Sequence, residues 1–178
     1  QNAQNPAQNV MAYTDFSIKG FFEEAEKSSW YKNTLFIITA DHTHPHIEHK
    51  YKGYIDGYRI PLIMFHPSEQ IYADPDEIVQ QTDIMPTIAD YLGISADELP
   101  RFGQSVLKDN GNRNALFYSH NSYYLVRKDY YLEMLEDYIR FKDWNDNSIK
   151  ASSETIVDTN LIKAYRQYFN NSMVDNSF

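Results

Sequence analysis

"NTLFIITADHTHPHIEHKYKGY", residues Asn33 to Tyr54, decides how this chain is read. Its early part, TLFIITA over residues 34–40, is apolar almost throughout and rich in β-branched residues. Continuous rather than alternating apolarity suits a strand covered on both faces, as in a parallel α/β sheet. The run stops abruptly at Asp41-His42, and His44, His46 and His49 follow within seven residues. A carboxylate and an imidazole at a strand tip admit two readings. Either Asp41 caps a polar turn, or the strand delivers ligands to a divalent cation such as Zn²⁺, Mn²⁺ or Mg²⁺. In open α/β sheets, ligands bind beyond the carboxyl ends of the strands, which is where this pair stands. Neighbouring strand residues point to opposite faces, so one ion takes both only where the backbone turns. Two adjacent ions would also accommodate the pair.

The flanking segments set that strand in an α/β frame. Upstream, Met11, Ile18, Phe21, Phe22 and Ala25 recur at helical spacing, with Lys19, Glu23, Glu24 and Lys27 on other faces. This predicts an amphipathic helix, slightly weakened by Gly20. Downstream, a long polar segment from Thr43 to Arg59 leads to RIPLIMFHP, a second strand closed by Pro67. A helix is predicted from about Asp83 to Leu92, with Asp83 as its N-cap, Pro86 in its first turn and Gly93 as its C-cap. From Phe102 the texture changes to alternating aromatic and polar residues, which predicts an antiparallel meander. DTNLIKAYRQYFNNSM then reads as a final helix, capped by Asp158 or Thr159, with Leu161, Ile162, Tyr165, Tyr168 and Phe169 as its apolar stripe.

Bulk properties exclude several function classes. The 178 residues suit one domain or most of one. With 16 Lys+Arg against 25 Asp+Glu, the net charge is −9, which argues against a nucleic-acid partner held through phosphates. A small anionic substrate is compatible, because a bound metal reverses the local field. There is no cysteine, so a zinc site would use nitrogen and oxygen ligands alone. No apolar run approaches membrane-spanning length and no signal peptide is visible. The polar start QNAQNPAQNV, without Met, reads as the trimmed end of a fragment.

The remaining candidates are weaker. His44 and His46 stand beside the strand tip and are candidates for touching substrate or metal, whereas His49 reads as a solvated loop residue. His66 reads as a half-exposed strand-end residue, and His120 as part of the meander. No Gly-rich phosphate loop and no Gly-x-Ser-x-Gly elbow is present, and nothing looks like an activated nucleophile.

Taken in order, YTDFSIKGFFEEAEKSSWYKNTLFIITADHT, YRIPLIMFHPS, QQTDIMPTIADYLGI and FGQSVL resemble the C-terminal half of the sulfatase-like branch of the alkaline phosphatase superfamily. SYYLVRKDYYLEML and NLIKAYRQYFNNSM look most like the phosphoglycerol transferases related to lipoteichoic acid synthase. The resemblance runs from about Val10 to Met173. It implies an α/β fold: the C-terminal part of an α/β/α sandwich, with a small antiparallel sheet and a terminal helix. Residues 1–110 would then be the C-terminal half of the catalytic core, and 111–178 an antiparallel subdomain.

The resemblance also implies chemistry. Such proteins cleave or transfer phosphate or sulfate esters, with a Thr, Ser or formylglycine nucleophile and a metal that stabilises developing charge. Carried over, Asp41 and His42 are metal ligands; the ion in such transferases is commonly Mn²⁺ or Mg²⁺, with Ca²⁺ and Zn²⁺ as the alternatives, and the imidazole leans towards Mn²⁺ over Ca²⁺. The nucleophile and the first acidic ligand lie on earlier strands in that family and are not in this chain. The fragment is therefore expected to be inactive alone and to bind an ion weakly. The substrate would be a small or lipid-linked ester, and the setting the bacterial cell envelope, with membrane anchoring through the missing N-terminal part. The competing readings are a catalytically dead binding or structural module of the same fold, and a histidine-rich metal carrier.

Overall fold

The computed structural model describes residues 6–43, 53–95, 102–108 and 111–176. The chain forms two compact units, one from Gln1–Glu48 with Tyr58–Ile71, the other from His49–Gly57 with Tyr72–Phe178. Together they make a mixed α/β chain with a two-stranded sheet, a four-stranded antiparallel sheet and a C-terminal helix.

In the first unit the predicted amphipathic helix is α1, Pro6–Ala25. The two predicted strands are β1, Phe36–Thr39, and β2, Leu62–Phe65. They are tied to α1 by aromatic rings. Phe36 stacks on its cross-strand partner Phe65 at 5.8 Å, and Phe22 lies 5.1 Å from Phe36 and 6.2 Å from Phe65. Such pairs each contribute about 0.5–1.5 kcal/mol beyond their buried area. At the strand end, the Thr39 hydroxyl donates to the Pro61 carbonyl at 2.9 Å.

Two expectations need correction here. β1 pairs antiparallel with β2, Phe36 opposite Phe65 and Thr39 opposite Leu62, rather than parallel with a neighbour. Phe36, Ile37 and Ile38 are also only half-buried. A run of apolar residues reports that both faces avoid water; it carries no information on the direction of the neighbouring strand.

In the second unit a 3₁₀ turn, Gln81–Asp83, runs into α2, Ile84–Tyr91. Asp83 occupies the position before α2, but its carboxylate does not cap that helix. It instead accepts from the Gln80 amide at 3.1 Å, within a capping box of the preceding 3₁₀ turn. The C-terminus of α2 is as expected. Gly93 takes φ +66°, its N–H donates to the Asp90 carbonyl, and the Ile94 N–H reaches the Ala89 carbonyl at 2.8 Å. This is the Schellman arrangement that glycine permits.

The predicted meander is β3, Ala115–Ser119, β4, Ser122–Val126, β5, Tyr130–Leu135, and β6, Tyr138–Asp143, hydrogen-bonded in that order. Its alternation sorts two cores. Tyr124, Val126 and Tyr131 pack with Ile55 on one face, while Leu125, Leu132 and Met134 pack with Ile162 on the other. Ile162 belongs to α3, Ser153–Asp175, which begins earlier than the sequence suggested. Ser152 is the cap, its hydroxyl accepting from the Thr155 N–H at 3.3 Å. Asp158, expected as a cap, lies instead in the second turn of the helix and is buried against Arg127. The expected stripe holds: Leu161 packs beside Ile162, and Phe102 meets Tyr165, Tyr168 and Phe169 at 5.1–6.2 Å.

Candidate metal centre at the tip of β1

β1 ends at Thr39, and the backbone bends through Asp41 and His42. The bend removes the difficulty posed by strand alternation. The Asp41 Oδ2 and His42 Nε2 atoms come within 3.5 Å of each other, on side chains 87% and 76% exposed respectively. Asp41 Oδ1 accepts from the His42 backbone N–H at 2.9 Å, which turns its carboxylate back toward the imidazole. His42 Nδ1 stands 2.8 Å from the Thr43 carbonyl oxygen, an atom that can only accept. Nδ1 therefore carries the proton, and in the neutral ring Nε2 is the lone-pair nitrogen.

The consequence is electrostatic. A carboxylate oxygen and an imidazole lone pair face each other at 3.5 Å on exposed side chains, where a proton on Nε2, a donating water or a cation between the two atoms suits both. The donor set, one hard oxygen and one borderline nitrogen, fits Mn²⁺, Mg²⁺ or Zn²⁺ chemistry. The Thr43 carbonyl holds the ring by its other nitrogen, as the outer partners of metal-bound histidines commonly do. Among the described residues no group of three or more His, Asp and Glu could hold an ion. Asp41 and His42 thus fit a metal as two donors of a larger set.

The other sequence candidates fall elsewhere. His44, His46 and His49 lie outside the described residues. His66 is buried, not half-exposed as predicted, and its Nδ1 accepts from the Ser68 N–H at 3.2 Å. It closes the end of β2 and is spent on structure. Asp83 is also structural. Burial raises its pKa, opposed by the amides of Gln104 at 2.8 Å and Gln80 and by Arg113 at 3.9 Å.

One arrangement escaped the sequence reading. His120 sits in the two-residue turn between β3 and β4 at φ +48°, followed by Asn121 at +63°. This is the type I′ backbone that hairpins favour. His120 Nδ1 lies 2.5 Å from the Tyr54 hydroxyl and 2.9 Å from the Ser119 hydroxyl. Pairing of residues 66 positions apart has no local signature.

Comparison with known proteins adds the family. The sulfatase family model matches residues 3–94, more than half of the chain and including β1, Asp41, His42 and α2. The chain belongs to the sulfatase family. Two solved structures share its fold. One is a protein in the alkaline phosphatase superfamily from Vibrio parahaemolyticus, 21% identical, with a TM-score of 0.75, covering 96% of this chain and 44% of that one. The other is the lipoteichoic acid synthase LtaP from Listeria monocytogenes, 20% identical, with a TM-score of 0.67, covering 89% of this chain and 44% of that one. This sulfatase-family chain therefore spans less than half the length of both. The likeness shows that the α/β architecture of this chain is shared with part of each of those two structures.

Proposed function

We propose that this chain is part of a divalent-metal-dependent hydrolase or transferase of phosphate or sulfate esters, with Asp41 and His42 as two of its metal ligands. The observation that carries the reading is the convergence of Oδ2 and Nε2 to 3.5 Å at a strand tip in a sulfatase-family chain. When bound, the ion neutralises charge that develops on the ester oxygens and lowers the pKa of the attacking group. Asp41 contributes the anionic donor. His42 contributes a neutral nitrogen, oriented by the hydrogen bond from Nδ1 to the Thr43 carbonyl. The imidazole favours Mn²⁺ over Ca²⁺, and the transferase-like reading favours Mn²⁺ or Mg²⁺, with Zn²⁺ the further option.

The likeness to LtaP and the tail motifs of β4, β5 and α3 support a phosphoglycerol-transferase-like activity on a small or lipid-linked ester. In this reading the protein works in the bacterial cell envelope. No helix among the described residues is long and apolar enough to cross a membrane. From the family resemblance, membrane anchoring and the nucleophile are assigned to polypeptide outside these 178 residues, and the chain alone is expected to be inactive. On sequence grounds His44 and His46 are assigned to substrate binding.

Mn²⁺ titration followed by electron paramagnetic resonance tests the assignment without needing turnover. Asp41→Asn and His42→Ala should each weaken binding about tenfold or more. Circular dichroism should stay unchanged, because both side chains are largely exposed. Affinity equal to that of the unmodified chain in both variants would refute the ligand assignment. A triple Ala variant at His44, His46 and His49 that alone abolished binding would favour the histidine-rich carrier instead.

A further inference from the structure

Asp41 and His42 converge because the chain leaves the sheet just before them. The ladder between β1 and β2 runs from Phe36 opposite Phe65 to Thr39 opposite Leu62 and goes no further. The residue before Leu62 is Pro61, which has no N–H and cannot donate to β1. The backbone then bends through Asp41 and His42.

The Thr39 side chain acts at the same point. Its hydroxyl donates to the Pro61 carbonyl at 2.9 Å and lies 3.3 Å from the carbonyl oxygen of Ala40. A hydroxyl has one proton to give, and the nearer acceptor takes it. The Ala40 oxygen belongs to the peptide unit that leads into Asp41, so one hydroxyl links the start of β2 to the entry of the metal pair. Strand formation does not require that hydroxyl. Valine has the same branched shape and the same preference for a pleated strand. Thr39 is exposed, so exchanging its hydroxyl for a methyl opens no void. What valine lacks is the proton that joins the two segments.

We propose that Thr39 and Pro61 are positioning residues for the metal pair. Pro61 stops the ladder, and the Thr39 hydroxyl fixes the direction in which the backbone leaves it. This role rests on the reading of Asp41 and His42 as ligands, and neither Thr39 nor Pro61 touches the ion. Two local bonds complete the convergence, from the His42 N–H to Asp41 Oδ1 at 2.9 Å and from His42 Nδ1 to the Thr43 carbonyl at 2.8 Å. Both are confined to residues 41–43 and form only if the backbone enters them at the right angle. Thr39, Pro61 and the pair all lie in the same compact unit.

Two measurements on the 178-residue chain test the role. Long-range proton–nitrogen NMR of the metal-free chain, with the ring neutral, reads the His42 tautomer that the Thr43 carbonyl sets. Mn²⁺ titration by electron paramagnetic resonance reads the consequence for the ion. In Thr39→Val the ratio of Nδ1–H to Nε2–H should fall about three- to tenfold, and Mn²⁺ affinity by a similar factor, the range one net hydrogen bond supports. The melting temperature should change little, because the side chain is exposed. Thr39→Ser keeps the hydroxyl and should restore both readings. Pro61→Ala should also weaken Mn²⁺ binding, since a restored N–H lets the ladder run past Thr39. A Thr39→Val chain with unchanged tautomer ratio, or a Thr39→Ser chain as impaired as Thr39→Val, would overturn the proposal. If Asp41→Asn weakens Mn²⁺ binding and Thr39→Val does not, the positioning role fails while the ligand reading stands. If the tautomer ratio moves in Thr39→Val but Asp41→Asn binds Mn²⁺ normally, the ligand reading fails and Thr39 is left setting the bend alone.

Discussion

Asp158→Ala is the substitution whose cost the structure determines most directly. The Asp158 side chain is 3% exposed and that of its partner Arg127 is 9% exposed. Asp158 accepts from Arg127 Nε at 2.9 Å, from Nη2, and from the Tyr130 hydroxyl at 2.6 Å. Arg127 Nη1 in turn donates to the carbonyls of Asn112 at 2.7 Å and Arg113 at 2.9 Å, so the pair ties α3 to β4 and to the segment before β3. Burial works against the Arg127 cation, but Asp158 outweighs it and holds the guanidinium pKa above its ordinary value. Burial and the hydrogen bond to Asp158 likewise push the Tyr130 hydroxyl up. Removing the carboxylate strands a guanidinium with nowhere to ionise against, and breaking one side of a buried pair costs about 3–5 kcal/mol. For a chain of this size that corresponds to a fall in melting temperature of roughly 6–20 °C. Urea denaturation followed by tyrosine fluorescence would measure it. Arg127→Met combined with Asp158→Leu should recover much of the loss, because a well-packed apolar pair replaces a buried ionic one at little cost. A single-variant loss below about 1 kcal/mol, the level of an exposed pair, would refute the argument. So would a double variant as unstable as the single.

Two further predictions concern the same unit. Ile162 is fully buried where α3 meets β4 and β5, so Ile162→Ala should cost about 2–5 kcal/mol by urea denaturation, the range for deleting a buried aliphatic side chain. Asp90 is held below its ordinary pKa of 3.8 by hydrogen bonds from Lys108 at 2.8 Å and Ser105 at 2.6 Å. Its contribution to stability is therefore full above 3.8 and is lost as pH falls through the lower folded-state value. Asp90→Asn should flatten the acid limb of the urea midpoint against pH, and an unchanged acid limb would remove the assignment.

Much of the architecture was legible because it is local. Met11, Ile18, Phe21, Phe22 and Ala25 announce α1, Gly93 marks the end of α2, and the alternation of Tyr124, Leu125 and Val126 divides the meander into two faces. Strand direction was not legible, since a covered strand looks alike beside a parallel or an antiparallel neighbour. Nor were the roles of acids near helix starts. Asp83 and Asp158 carry the residue type of a cap, but a carboxylate goes to its strongest donors, here the Gln104 amide and the Arg127 guanidinium, 21 and 31 residues away in sequence.

The candidate site divides in the same way. The Asp41-His42 dipeptide at the end of an apolar run is a sequence fact, and the order of motifs around it suffices to suggest the family. Whether two neighbouring side chains at a strand end can serve one ion depends on backbone dihedrals. The bend after Thr39 brings Oδ2 and Nε2 within 3.5 Å, while the Thr43 carbonyl selects the ring nitrogen that faces the carboxylate. The tie between Tyr54 and His120 was invisible for a related reason: a hydroxyl and an imidazole 66 residues apart meet only once the hairpin turn and the buried Ile55 have set both backbones. Composition and periodicity determine which elements form and which faces avoid water. Hydrogen bonds that close between distant residues determine which polar group meets which, and that is settled only when the chain has folded.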